Sequence, residues 1–325
     1  MIKIKLKLLL PLLFTCAVLS AQAQTSSDNF KIVGYYSIRA ALTADLSTVP
    51  FDKLTHINLY FLNPDTLGNF NTDLTNILPF IKAAHAKNVK VLPSIAGGSR
   101  HTYYHALLMD DKRPTFIKAL VDVAVKYGFD GIDVDIEGAD IDENYEKFAT
   151  ELSAALKAKK LLTTAAIAIF YKDQLTEAAL AQYDFVTLMS YDHTSPGRPD
   201  RPGPHSPYDK AVADLDYFYT VKKVPKNKIV LGVGFYGYGF GPDLTTPGMS
   251  MTYKQLVTQY PGAQLVDEWA LPGGKTIYYN GIPTIKQKTQ LAQKEASGIM
   301  IWQLLGDADG DRSLLNAIYQ QAYKK

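Results

Sequence analysis

The sequence predicts an α/β fold, a (β/α)8 TIM barrel with a small insertion between strands seven and eight. Three observations predict it. Short runs rich in β-branched and aromatic residues recur along the chain, segments of helical spacing separate them, and no linker interrupts the alternation from residue 31 to 325. A chain of 325 residues is ordinary for one undivided barrel.

The first residues are expected to be a leader rather than fold. Lys3, Lys5 and Lys7 precede an apolar core from Leu8 to Leu19, and Ala21-Gln22-Ala23 is a small-x-small cleavage site. Residues 1–23 therefore read as a Sec-type signal peptide and 24–30 as a short linker, which implies a secreted or periplasmic protein. Cys16, the single cysteine, admits a lipoprotein reading, but apolar sequence continues beyond it. Cleavage after Ala23 leaves no thiol, so stability must come from a large packed core. Hydrophobic residues make up 47% of the chain and charged residues 20%, with a net charge of +2 and the signs interspersed. That pattern gives no footprint for nucleic acid or for a membrane partner.

From Lys31 onward the expected strands are Ile32 to Tyr36, His56 to Phe61, Val89 to Ile95, Gly131 to Ile136, Leu161 to Phe170, Phe185 to Ser190, Ile229 to Phe235 and Gly298 to Trp302. Between them Leu74, Leu78, Ile81 and His85 fall on one helical face. So do Phe116, Leu120, Val123 and Tyr127, with Gly128 placed to end the helix, and Tyr145, Phe148, Leu152 and Leu156. Two segments break the rhythm: a Pro/Gly-rich loop from Ser195 to Tyr208, and an excursion over 241–283 with a helical piece near Tyr253 to Tyr260. Loops that follow barrel strands lie at the catalytic face, so both are candidate walls of a groove.

The chemistry concentrates in Asp130-Gly131-Ile132-Asp133-Val134-Asp135-Ile136-Glu137. Alternation along a strand puts Asp133, Asp135 and Glu137 on one face and the three apolar residues on the other. An amphipathic strand with a solvated acidic face has the same pattern, but a parallel sheet is covered on both faces. Acids pointing into a barrel repel one another and lose hydration, so they share protons or have pKa values driven apart, as an acid catalyst at neutral pH requires. Glu137 comes last and is nearest the open face; Asp135, about 7 Å earlier, can reach toward either neighbour. A Mg²⁺ or Ca²⁺ site is the rival use of these acids, but no histidine or phosphate-cradling loop accompanies them. The Asp307 to Asp311 run lacks the glycine and glutamate of a calcium loop, and neither metal nor cofactor is expected. His101 and His105 lack a metalloprotease pattern and read as surface residues.

Asp-Gly-x-Asp-x-Asp-x-Glu at Asp130 to Glu137 resembles the signature of family 18 glycoside hydrolases, the chitinases and their relatives. The resemblance continues in order through Val33-Gly34-Tyr35-Tyr36, Leu54 to Asn58 with Phe61, Met189-Ser190-Tyr191-Asp192, Gly232 to Gly237 and Gly298 to Trp302. One departure is visible: the family's third strand ends Ser-x-Gly-Gly, whereas this one reads Ser94-Ile95-Ala96-Gly97-Gly98, one residue longer. There are also two tryptophans, Trp269 and Trp302, too few for an extended aromatic track, although 21 tyrosines could substitute in part.

The resemblance implies a chitinase-like retaining hydrolase that cleaves β-1,4 bonds of chitin or N-acetylglucosamine oligosaccharides by substrate-assisted catalysis. It implies Glu137 as acid and base, Asp135 holding the acetamido N–H, Asp133 tuning Asp135, and Tyr191 orienting the acetamido carbonyl. Asp192 and Met189 would contact the sugar, Trp302 would form its floor, and Tyr36, Phe61, Gly97, Gly98 and Tyr236 are further binding candidates. The enzyme is expected to act as a monomer. Alternatives are an endo-β-N-acetylglucosaminidase acting on glycoprotein glycans and a chitin-binding relative without catalysis; the latter typically replaces the glutamate that is intact here.

Overall fold

The computed structural model describes residues 30–198, 200–242 and 249–323. The expected leader, with Cys16, and the 24–29 part of the linker lie outside the described residues.

Twelve strands are present among them. Seven follow one another as β1 (Lys31–Ser37), β2 (His56–Tyr60), β3 (Lys90–Ala96), β4 (Gly131–Asp135), β5 (Leu162–Ile167), β6 (Phe185–Leu188) and β7 (Ile229–Gly234). Then come β8 (Tyr236–Phe240), β9 (Met249–Thr252), β10 (Glu268–Leu271), β11 (Lys275–Tyr278) and finally β12 (Gly298–Trp302). The first seven and β12 close into a barrel in which β1 lies between β2 and β12, and every barrel pair is parallel. This is the (β/α)8 architecture that the alternation predicts.

The pleat sorts the core into two shells. Ile132 and Val134 on β4 point outward into the apolar layer beneath the helices, and both are fully buried. Val33, Tyr35, Phe185, Val230 and Met300 point inward and fill the barrel axis. Glycines permit the closest strand approach: a Cβ on Gly131 would stand 2.2 Å from the Leu162 carbonyl oxygen.

The covering helices follow the apolar periodicity, with one shift of phase. Arg113–Tyr127 buries Phe116, Leu120, Val123 and Tyr127, and it ends at Gly128, whose φ of 71° is left-handed. Tyr145–Lys157 buries Tyr145, Phe148, Leu152 and Leu156. Earlier in the chain, however, the Leu74 to His85 stretch departs from expectation. A 3-10 turn over Thr75–Ile77 precedes the helix Leu78–His85, with Pro79 in its first turn. The tighter turn rotates the face, so Phe80, Ile81 and Ala84 are buried while Leu78 and His85 are exposed.

Two expected boundaries also move. The long fifth run stops at Ile167, and a 3-10 turn, Ile169–Tyr171, carries Phe170 to the surface at the catalytic face. The excursion begins at Tyr236 rather than 241, because the chain leaves the barrel after Gly234 and β8 pairs antiparallel with β9 and β11. The result is a four-stranded sheet, β10-β11-β8-β9, standing beside the barrel mouth. A capping box, Thr252 with Gln255, starts its helix Tyr253–Gln259.

Gly131→Ala and Gly128→Ala separate the two uses of glycine. Nothing lies within 4 Å of a Cβ at Gly128, so that variant should cost about 1–2 kcal/mol from backbone strain alone, with activity unchanged. Gly131→Ala must push β4 from β5, and urea denaturation should show the larger loss together with impaired activity.

Candidate active site

The acidic row of β4 enters a barrel interior already furnished with hydroxyls. Register places Asp133 level with Ser94 on β3 and Thr164 on β5. Thr164 donates to its Oδ1 at 2.6 Å, while Ser94 at 2.8 Å and Tyr35 at 2.7 Å donate to its Oδ2. Burial raises the pKa of this fully enclosed carboxyl, and the hydroxyl donors, which favour the anion, offset only part of that rise. The carboxylate is therefore held in one orientation by three partners from three strands.

Asp135, two residues on, is also buried but differently surrounded. Its Oδ1 has no hydrogen-bond partner among the described residues. Burial, and then the charges of Glu137 and Asp133, drive its pKa well above the ordinary carboxylate range. The turn leaving β3 closes against it: Gly97 N donates to the Asp135 carbonyl at 2.8 Å. A Cβ on Gly97 would lie 2.6 Å from Asp135 Oδ2 and 2.1 Å from the Phe61 ring, so only glycine lets both groups approach.

The extra residue of the third strand is accommodated in this turn. Ala96, Gly97 and Gly98 all take left-handed φ, at 64°, 63° and 72°. Ala96 is the strained member, and the Asn63 amide brackets it. Asn63 Oδ1 accepts from Ala96 N at 2.5 Å and Nδ2 donates to Ala96 O at 3.1 Å. His101 supports the same turn, with Nε2 3.2 Å from the Gly97 carbonyl. His101 is half-buried there, a correction to its reading as a surface residue; His105 is exposed and paired with Asp142.

Glu137 follows β4 in extended backbone and is solvent-accessible at the mouth. Desolvation, then the charge of Asp192, pushes its pKa up to about 7. Asp192 itself stays low. Burial alone would raise it, but the Tyr236 hydrogen bond and the facing His205 and Tyr238 side chains outweigh that effect. Tyr236 donates to Asp192 Oδ1 at 2.6 Å. Tyr191 is buried next to them, and its hydroxyl is unpartnered among the described residues.

Trp302 at the end of β12 collects the aromatic residues. Its ring lies 4.9 Å from Tyr60, 5.4 Å from Tyr35 and 5.9 Å from Phe61, the last nearly parallel. Met189 packs half-buried on the same inner cluster. A hollow of about 590 Å³ is bounded by Arg39, Tyr60, Phe61, Asn63 and Gly98, and one of about 210 Å³ by Trp302 itself with Asp192, Tyr236, Tyr238 and Gln303. A groove with an aromatic floor and acids at its centre suits a polyhydroxylated ligand whose ring faces are apolar.

The structure thus brings together Asp133, Asp135, Glu137, Tyr191, Asp192, Met189, Trp302, Phe61, Gly97, Gly98 and Tyr236. It does not bring Tyr36. That ring points outward and packs 5.5 Å from Phe80 in the shell beneath the helices, while its neighbour Tyr35 is the inward one. The sequence motifs alone do not mark Tyr60, His205 and Tyr238, nor Tyr171, whose buried hydroxyl lies near the Glu137 and Asp135 charges without a partner among the described residues. Strand alternation from Asn58 would have pointed to Tyr60; nothing local marks the others. Among the described residues, no three or more His, Cys, Asp or Glu side chains are grouped as a metal ion would need.

Comparison with known proteins agrees with this geometry. The family described as "Glycosyl hydrolases family 18" matches residues 31–307. The crystal structure of a GH18 chitinase from the chitin utilization locus of Flavobacterium johnsoniae is 32% identical, covers 90% of this chain and 94% of its own, and superposes with a TM-score of 0.79. A chitinase structure from Bacteroides thetaiotaomicron is 27% identical, covering 91% of this chain and 97% of its own, with a TM-score of 0.76. A "chitinase-like effector" of Moniliophthora perniciosa is 30% identical over 77% of this chain. The chain spans 65% of the length of that relative and of its counterpart in Moniliophthora roreri.

Asp192→Asn removes the one charge that raises Glu137 from across the groove. Carbon-detected NMR titration should show the Glu137 pKa falling below that of the parent; an unchanged value would mean that desolvation alone sets it.

Proposed function

The chain belongs to the glycosyl hydrolases of family 18, and from that premise we propose that it is a secreted, retaining hydrolase of β-1,4 bonds in chitin or N-acetylglucosamine oligosaccharides. The observation that carries the reading is the pairing of unlike acids. Glu137, at the mouth, has its pKa pushed up to about 7, beside a buried Asp135 whose Oδ1 and a neighbouring Tyr191 whose hydroxyl both lack partners among the described residues. Those two unpartnered groups match the N–H and carbonyl of a 2-acetamido group, one accepting and one donating.

The reaction requires no protein nucleophile. With the sugar lying on Trp302, Glu137 donates its proton to the glycosidic oxygen as the C1–O bond breaks. The acetamido oxygen of the same sugar bonds to C1 from the opposite face, which gives an oxazolinium ion and, after water attack, retained configuration. Asp135 accepts the acetamido N–H at its free Oδ1 and fixes the group for attack. Tyr191 donates to the acetamido oxygen and aims it. Asp133 carries no reacting atom; its fixed charge keeps the Asp135 proton available. Glu137, now a carboxylate, takes a proton from the incoming water and is restored.

Export rests on the pattern of residues 1–23, and N-terminal sequencing of the mature protein tests it. Hydrolysis of chitotetraose, with no release from a high-mannose glycopeptide, is the expected result for substrate. The opposite result assigns the chain to glycan trimming, and binding without turnover assigns it to a carbohydrate-binding role.

Glu137→Gln should lower kcat by about 10²–10⁴-fold or more while oligomer binding changes little. Stability gives an independent readout. A carboxyl whose pKa is raised on folding favours the protonated folded state, so the parent loses stability as pH rises from the unfolded value toward about 7. The glutamine variant should therefore gain in relative Tm across that window and hold a constant advantage above it. Because the acid must be protonated, kcat/KM of the parent should fall above about pH 7; a profile flat to pH 9 would exclude Glu137 as the donor.

A further inference from the structure

We propose that His205 is a positioning residue for this reaction: its buried ring donates a proton from Nδ1 toward Asp192, fixes that carboxylate beneath Tyr236, and sets how much of its negative charge reaches Glu137. The inference rests on Glu137 acting as the acid.

Hydrogen-bond bookkeeping fixes the tautomer. His205 Nε2 lies 3.2 Å from the Tyr236 carbonyl oxygen, which can only accept, so Nε2 carries a hydrogen. Nδ1 lies 3.5 Å from Asp192 Oδ1 and has no hydrogen-bond partner among the described residues. A neutral ring would leave a buried lone pair facing a carboxylate, unsatisfied and repelled. A proton on Nδ1 removes both costs and makes the contact an ion pair.

The ring cannot turn away from this contact. It is 1% exposed and packs against both Tyr236 at 4.6 Å and Tyr238 at 4.9 Å. Its own carbonyl accepts from His193 N at 3.0 Å. The next residue, Ser206, donates to the Ser190 carbonyl at 2.7 Å. Buried Lys288, on the helix Ile282–Glu295, donates to Ser206 O at 2.6 Å, to Ser206 Oγ at 2.7 Å and to Asn280 Oδ1 at 2.8 Å. A Pro/Gly-rich loop is thereby pinned to the barrel beside Asp192.

The titratable groups around His205 are few. Asp192 comes from the loop after β6, Tyr236 and Tyr238 from β8, and Lys288 from the helix behind Ser206. Asp214, on the helix Tyr208–Asp216, is turned toward Ser190 Oγ at 2.6 Å and His193 Nε2 at 3.1 Å. Among the described residues, Asp192 is the one anion within ion-pair distance of the ring.

The test is the Glu137 titration by carbon-detected NMR, assigned with Glu137→Gln, in the parent and in H205Q, H205F, D192N and D192N/H205Q. H205F keeps the aromatic stacking if H205Q does not fold. Both His205 variants expose the Asp192 charge, and should raise the Glu137 pKa by about half a unit or more, moving the alkaline limb of kcat/KM with it. In the D192N background the second substitution should do nothing further, because without its anion the ring has no reason to hold a second proton. No shift in H205Q and H205F, a downward shift, or an equal shift in the D192N background overturns the proposal. The NMR readout needs no turnover, so an inactive parent would defeat the proposed reaction while leaving this inference to stand or fall on the titration.

Discussion

Three carboxyl groups in one row, facing a barrel interior with little water, cannot all be ionised. Everything else about the site follows from how the fold separates their charges. Asp133, deepest, receives three hydroxyls and is stabilised as an anion. Asp135, one pleat higher, receives none at Oδ1 among the described residues and is squeezed between two acids, so it holds its proton. Glu137 stands where solvent begins and titrates near neutrality. The gradient from saturated to unsaturated to solvated is built from residues on β1, β3 and β5 rather than from β4 itself.

Keeping that gradient requires short distances, and the backbone supplies them at some cost. The β3 exit turn is wound left-handed over three residues, one of them alanine, so that Phe61 and Asp135 can both press against Gly97. Asn63 clamps the alanine from both sides. Across the groove, Asp192 also has a left-handed φ, of 61°, and it is held by Tyr236 and faced by His205. Two of the five non-glycine residues with left-handed φ among the described residues, Ala96 and Asp192, thus stand at the walls of the groove.

Much of this was legible in the sequence because a period of two has no ambiguity once one face is known. The acidic row, its direction and the barrel all follow from alternation and from the β-α rhythm. The same rule was harder to apply at Tyr35-Tyr36, where two identical residues differ only in parity, and the phase is settled by Tyr35 meeting Asp133 across the barrel. His205 and Tyr238 gave no signal, since a Pro/Gly-rich loop and an antiparallel sheet meet only in three dimensions. The rotated face of Leu78–His85 was hidden for a related reason: a single 3-10 turn changes phase without changing composition.

The division of protons among the three acids can be observed directly by neutron diffraction from crystals held near pH 6. The account predicts a deuteron on Asp135 and on Glu137 and none on Asp133, whose oxygens would instead receive deuterons from Tyr35, Ser94 and Thr164. A deuteron on Asp133 beside a bare Asp135 would contradict it.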